Sequence, residues 1–395
     1  MFRKTLFSFV ACFAVAAAAP AGAQAVKEFK IGFVSTLSGP AGGIGSELRD
    51  GFNLALKLAG GRLGGVPTEV LFGDDQLNPE MGKQLAERMV RRDRVNLMTG
   101  IVFSNVMLAV WPTVEQGKTT YISMNATPTA ISGKGCSPFF LSASWPNEAY
   151  HEAAGHFAST KGYKNAYLIA PNYPAGKDAT SGFKRGYKGS VAAEVYTKLN
   201  QLDYAAELAQ IRSVAPQAVY AFLPGGMGIN FIKQFNQAGL SKDIQLVVPG
   251  FTSDQDIVRA VGDPMIGLFD SAHWSYDLEN EANKRFVSAY QKEYGRIPTV
   301  FAEQGYTTAL VIDAALRAAK GNVGDAAALQ KALRAAPGNV QSPRGPWKFA
   351  ANGTPVQDYY LRELTKDAQG RIVNKKIGTI LTQHVDFWAK ECPMK

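Results

Sequence analysis

Short apolar runs alternate with longer amphipathic stretches along most of this chain. Runs of strand character fall at Lys30–Ser35, Glu69–Gly73, Asn96–Thr99, Thr120–Ser123, Ala166–Ala170, Ala192–Tyr196, Ala218–Phe222 and Gln245–Val248. Between them, apolar residues recur at helical spacing over Gly45–Leu58, Pro79–Arg91, Asn105–Gln116, Glu148–Thr160, Ala175–Tyr187, Tyr204–Val214, Ile229–Ala238 and Asp254–Val261. Further helices are predicted at Asn280–Tyr294 and Thr299–Ala319, and the tail from Gly345 turns β-like. A strand-helix alternation of this kind predicts an α/β fold of parallel sheets flanked by helices.

The same rhythm runs from Lys30 to about Trp145 and again from Ala166 to about Ala272. A chain of this length exceeds a single core, so two Rossmann-like lobes joined by a multi-strand hinge are expected. Crossings at Pro146 and at Ser275-Tyr276-Asp277 assign residues 26–146 and 278–342 to lobe 1, and residues 147–277 and 343–395 to lobe 2. Several linkers between two lobes suit hinge closure over a ligand. Phe29–Leu58 places a Ser38-Gly39-Pro40 turn at the carboxyl end of the first strand, where α/β sheets bind ligands.

The amino terminus has a different pattern. Arg3 and Lys4 precede the apolar run Leu6–Ala19, and Ala23-Gln24-Ala25 offers a cleavage site. Residues 1–25 read as an export signal cleaved near Ala25, which implies a periplasmic protein. Cys12 invites a lipoprotein reading, but Phe9-Val10-Ala11 is a poor lipidation context.

Charge changes the picture little. Against 33 Asp+Glu stand 42 Lys+Arg, and loss of Arg3 and Lys4 takes the net charge from +9 to +7. The basic residues are scattered. Arg91-Arg92-Asp93-Arg94 reads as a solvated helix end, so no nucleic-acid partner is expected. A mildly basic exported protein suits an acidic small ligand. Cys136 and Cys392 remain after signal removal; in an oxidising compartment they suggest one disulfide, with two separate buried thiols as the alternative.

Enzyme signatures are missing. There is no G-x-S-x-G elbow and no H-E-x-x-H. His151 and His156 are five apart, off one helix face, and read as surface or cap residues. The four histidines pair with no obvious catalytic acid. Neither a cofactor nor a metal is called for, and a non-enzyme is expected.

Binding chemistry is visible at two adjacent strand ends. Phe103-Ser104-Asn105 follows one strand and opens a helix, whose free N–H groups and serine hydroxyl favour a carboxylate. Asn125-Ala126-Thr127 follows the next strand with a second hydroxyl. Each alone would be ordinary capping; the pair reads as a carboxylate clamp.

Taken in order, IGFVSTLSGPAGGIG, VLFGDDQLNPEMGKQLAERMV, VFSNVMLAV, YISMNATPTAI, IAPNYPAGKDATSGFK and FLPGGMGINFIKQFNQAGL make the chain resemble a periplasmic solute-binding protein of the branched-chain amino acid ABC-transporter family. The resemblance implies the type I two-lobed fold, capture of a small ligand between lobes and delivery to membrane permease subunits, with the protein acting as a monomer. It carries Ser104 and Thr127 onto the family's carboxylate-holding hydroxyls and Phe103, Asn125 and Ala126 onto neighbouring backbone contacts. Ile44 falls where the family often has an aromatic, and Tyr173 matches its tyrosine on the second lobe.

One departure stands out. After the strand Gln245–Val248, where amino-acid-binding members carry an acid for the ligand's ammonium, this chain reads Gly250-Phe251-Thr252-Ser253. Asp254 and Asp256 lie beyond and read as the start of the next helix. A buried ammonium without a carboxylate is costly. The expected ligand is therefore a small hydrophobic carboxylate, an aromatic acid of the benzoate or cinnamate type ahead of a branched-chain or aromatic amino acid. A ligand-sensing receptor on the same fold is a further alternative. Trp145, Tyr173, Phe251, His273, Trp274 and Tyr276 are the aromatics available to it, unless Trp145 and Trp274 pack the hinge and Phe251 a helix. The expected site is Ile44, Phe103, Ser104, Asn125, Ala126, Thr127, Tyr173, Phe251, Thr252 and His273.

Overall fold

The computed structural model describes Met1, residues 28–322 and residues 324–394. The export signal expected over residues 1–25 falls, Met1 aside, outside the described residues.

The first sheet contains β1 (Phe29–Ser35), β2 (Arg62–Leu63), β3 (Val66–Asp74), β4 (Leu97–Thr99), β5 (Thr120–Ser123) and β6 (Phe140–Ser142) in the order β2-β3-β1-β4-β5-β6. All its pairings are parallel except the short β2–β3 hairpin. β1 is nearly continuous in apolar residues because helices cover both faces: Phe29, Ile31, Phe33 and Val34 are wholly buried. Its helices are α1 (Gly42–Leu58), α2 (Pro79–Glu87), α3 (Ser104–Gln116) and the short α4 (Thr129–Ser132).

The second sheet is built from β7 (Asn165–Pro171), β8 (Ser190–Thr197), β9 (Ala218–Ala221), β10 (Gln245–Pro249) and β11 (Phe269–Ala272), paired in parallel. Around it lie α5 (Ala149–Thr160), α6 (Pro174–Gly186), α7 (Ala205–Val214), α8 (Gly226–Gln237) and α9 (Gln255–Val261). The chain then forms α10 (Glu281–Tyr294), α11 (Val300–Ala318) and α12 (Ala326–Ala335). α11 packs tightly on α1: a Cβ added at Gly51 would sit 1.9 Å from the Ala302 carbonyl oxygen, and one at Gly305 2.0 Å from that of Leu48. These glycines let the helix backbones touch.

The β-like tail is a short strand β12 (Lys348–Phe349) followed by a long hairpin, β13 (Pro355–Lys366) and β14 (Ile372–His384); β13 adds antiparallel to β11. The buried Arg362 on β13 fixes this return, donating to both oxygens of Asp270 on β11 at 2.7 and 3.1 Å. The fold class matches the expected one. The pattern missed β2, β6, β11, α4 and α12. The helix predicted to Arg91 closes at Glu87, and Arg88–Arg92 widens into a π turn. Cys136 and Cys392 are bonded, with Cα atoms 5.6 Å apart.

Candidate functional site

The site forms where β4 and β5 end. β4 runs out at Thr99, and the hydroxyls beneath the loop anchor it: Thr99 Oγ1 donates to the Ile122 carbonyl at 2.6 Å, and the Tyr121 hydroxyl accepts from Ile101 N at 3.0 Å. The chain reaches Phe103 in an extended conformation and enters α3 at Ser104 with no side-chain cap. The first-turn N–H groups of α3 therefore face outward unclaimed by a cap, a ready anion site. Ser104 is buried.

Asn147 organises the polar side. Its amide nitrogen donates to Ser104 Oγ at 3.0 Å and to Asp178 Oδ2 at 2.8 Å. Its amide oxygen accepts from Thr127 N at 2.9 Å. Burial raises the Asp178 carboxyl to about 6, against the pull of its bonds from Asn147 and Thr129.

A cavity lies beside this cluster, between the two sheets. Ile44, Val102, Phe103, Ser104, Asn125 and Ala126 line it from the first sheet's side, and His151, Tyr173, Ala175, Phe222, Pro224 and Phe251 from the second's. Trp145, Asn147 and Phe301 complete it. The aromatic rings form a continuous wall: Phe103–Tyr173 centroids lie 6.0 Å apart, Tyr173–Phe222 6.3 Å, Phe222–Phe251 5.8 Å and Trp145–Phe251 4.6 Å. Among the described residues, no Asp, Glu, Lys or Arg lines the cavity.

Seven of the expected residues come together here: Ile44, Phe103, Ser104, Asn125, Ala126, Tyr173 and Phe251. Three stand apart from the lining. Thr127, next to the cavity in sequence, turns its hydroxyl to Ser142 Oγ at 2.8 Å. Thr252 accepts from Leu223 N at 3.0 Å and so braces the turn before α8. His273 lies behind Trp145, ring centroids 5.8 Å apart. There it bonds to Tyr150 through Nδ1 and to Glu303 through Nε2, the latter at 2.9 Å. Each of these side chains spends its polar atoms on scaffold partners. Trp274 packs on Phe286 and donates to Asn283, and Tyr276 does not line the cavity.

The histidines require correction. His273 does pair with an acid, Glu303, which Arg344 also holds at 2.9 Å. Burial works against the Glu303 charge, but Arg344 and then His273 more than offset it and leave the carboxyl at about 2. Burial, with Arg344, brings His273 down to about 4. His151 is not a surface or cap residue: it is 1% exposed and lines the cavity. Burial brings it down to about 3, so it is neutral at physiological pH. Asn147, Phe222 and Phe301 also went unread. Phe222 ends a predicted strand and carried a positional signal; Asn147 and Phe301 carried none, because only the packing of distant segments brings them to the cleft.

Bonds cross the cleft around the cavity. Gly226 N at the start of α8 donates to the Pro40 carbonyl at 3.1 Å. Thr129 Oγ1 donates to Asp178 Oδ1 at 2.9 Å, and Arg259 on α9 pairs with Glu47 on α1 at 2.5 Å. The two sides are drawn together over an enclosed space.

Comparison with known proteins accords with this geometry. The periplasmic binding protein family matches residues 28–369. A Leu/Ile/Val-binding protein homolog 6 of Brucella melitensis is 29% identical over 393 residues, covering 96% of this chain and 98% of the relative. The structure of an ABC-transporter solute-binding protein from R. palustris in complex with benzoate superposes with a TM-score of 0.87 at 31% identity, over 93% of this chain and 99% of that one. A solute-binding protein from Rhodopseudomonas palustris BisB5 in complex with 3,4-dihydroxybenzoic acid gives 0.83 at 28%, over 92% and 99%. A leucine-binding protein from Thermotoga maritima shares the fold at 20% identity, TM-score 0.78, over 89% and 99%. The chain belongs to the periplasmic binding protein family and has the type I fold of ABC-transporter solute-binding proteins.

Proposed function

We propose that this protein captures a small aromatic carboxylate between its two lobes and hands it to the permease subunits of an ABC importer. The lobes are residues 26–146 with 278–342, and 147–277 with 343–395. The observation that carries the reading is an aromatic-walled cavity with no charged side chain among the described residues that line it and an uncapped helix start at Ser104. A carboxylate gains the α3 N–H groups and the Ser104 hydroxyl, while a ring gains the wall of Phe103, Tyr173, Phe222 and Phe251. The aromatic-acid complexes among its structural relatives support the same class.

The protein acts by binding, without turnover, as a monomer in the periplasm after cleavage near Ala25. A branched-chain amino acid is the second reading, favoured by the Brucella relatives. Its ammonium would need a carboxylate, and Asp178 reaches the lining only through Asn147. Calorimetric titration with benzoate, 4-hydroxycinnamate, phenylalanine and leucine tests the proposal. Binding of the aromatic acids is expected; tight leucine binding with no response to them would overturn it.

A further inference from the structure

Among the described residues, His151 and Tyr173 are the titratable lining residues outside the carboxylate clamp, and His151 is the one whose ring is held by a buried hydrogen bond. It sits on the first turn of α5, four positions after Asn147, with its ring against Phe222 (4.8 Å) and Phe251 (5.8 Å). Its Nδ1 bonds the Tyr220 hydroxyl. Tyr220 is wholly buried beneath the cavity wall and stacks on Phe183 with centroids 4.2 Å apart.

This pair fixes the tautomer. The Tyr220 hydroxyl makes no other hydrogen bond among the described residues. If His151 Nδ1–H donated to it, the phenolic hydrogen would be left buried without an acceptor, a costly arrangement. Tyr220 therefore donates to Nδ1, and the single ring hydrogen of neutral His151 resides on Nε2. Nε2 has no partner among the described residues, and the ring lines the cavity. A neutral N–H donor, 1% exposed and oriented from behind, is thus available to whatever fills the aromatic space.

We propose that His151 is a specificity-determining residue whose Nε2–H donates to an oxygen substituent on the ligand ring, so that the cavity prefers hydroxylated aromatic carboxylates to unsubstituted ones. The inference rests on the aromatic-carboxylate reading and deepens it. A ring hydroxyl has lone pairs to accept this bond, whereas an arylamine is a donor and a poor acceptor. An unsubstituted ring leaves the buried N–H unpaired.

The test is calorimetric titration of the purified full chain with benzoate, 3-hydroxybenzoate, 4-hydroxybenzoate and 4-aminobenzoate. At least one hydroxybenzoate is expected to bind about five- to tenfold tighter than benzoate, the scale of one net hydrogen bond, and 4-aminobenzoate is expected to show no gain. His151→Phe should bring the hydroxybenzoate-to-benzoate ratio to about one. His151→Gln, which keeps a donor, should retain part of the preference. Tyr220→Phe, which releases the tautomer, should weaken it. An equal affinity of wild type for all four ligands overturns the inference, as does a preference that survives in His151→Phe. The comparison among ligands on wild type stands even if a variant fails to fold. Benzoate binding without selectivity overturns this inference alone; leucine binding without benzoate binding overturns the aromatic reading and this inference with it.

Discussion

The Asn147 amide nitrogen donates to Ser104 Oγ at 3.0 Å, so the serine at the start of α3 has one lone pair engaged while its own hydroxyl hydrogen has no partner among the described residues. The bond leaves the Ser104 hydrogen free to donate, the polarity that a carboxylate requires.

Ser104→Ala should accordingly weaken aromatic carboxylate binding by about 1–3 kcal/mol. Titration of the variant checks this, with Thr127→Val as a contrast. Thr127 spends its hydroxyl on Ser142, so its loss should lower thermal stability more than ligand affinity. Unchanged affinity in Ser104→Ala would remove that residue from the site.

Asp178 should link closure to pH. Burial between Thr129 and Asn147 raises its carboxyl from 3.8 to about 6, and opening the cleft would rehydrate it and return it toward the lower value. Between those limits the closed form binds more protons than the open form, so closure strengthens as pH falls through 6 and loses that help above it. Affinity should rise by no more than about tenfold per pH unit on acidification from 7 toward 5. In Asp178→Asn the slope should vanish; a slope that persists would assign it to another group.

Arg344 holds a wholly buried carboxylate, Glu303, through Nε at 3.1 Å and Nη2 at 2.9 Å. Arg344→Leu strands that charge beside His273 and should cost about 3–5 kcal/mol in urea unfolding. Joint replacement of Glu303 and Arg344 by leucine should recover most of the loss, because the pair's removal leaves no unpaired charge.

The disulfide spans 256 positions and ties the carboxyl-terminal turn to the segment after α4. Joint replacement of Cys136 and Cys392 by serine should lower stability by roughly 5 kcal/mol if chain entropy dominates. The melting temperature with and without a reductant checks this in the unmodified chain. Affinity should change little, since neither cysteine lines the cavity.

The elements that were legible in the sequence are those whose signal is local. β1 and α1 carry buried periodicity and a Ser-Gly-Pro break, and the strand ends at Phe103-Ser104 and Asn125-Ala126 declare themselves by the residues that follow an apolar run. The same logic misplaced Thr127 and Thr252. Both follow strands as ligand-holding hydroxyls would, but Ser142 and Leu223, distant in sequence, take up their oxygens. It also misread His151, which has no apolar signature of its own; its burial comes from Tyr220 on β9, Phe222 just past it and Phe251 just past β10.

By itself the sequence determined the α/β alternation, the strand ends that open toward a cleft, and the missing acid at Thr252, because each depends on residue type along a few consecutive positions. Tertiary structure alone decided which hydroxyl-bearing residues line the cavity, that Asn147 joins Ser104 to Asp178, and that His151 lies in the wall with one nitrogen committed. A polar side chain's role is set by which partner satisfies it once water is excluded, and those partners come from segments that only folding brings together.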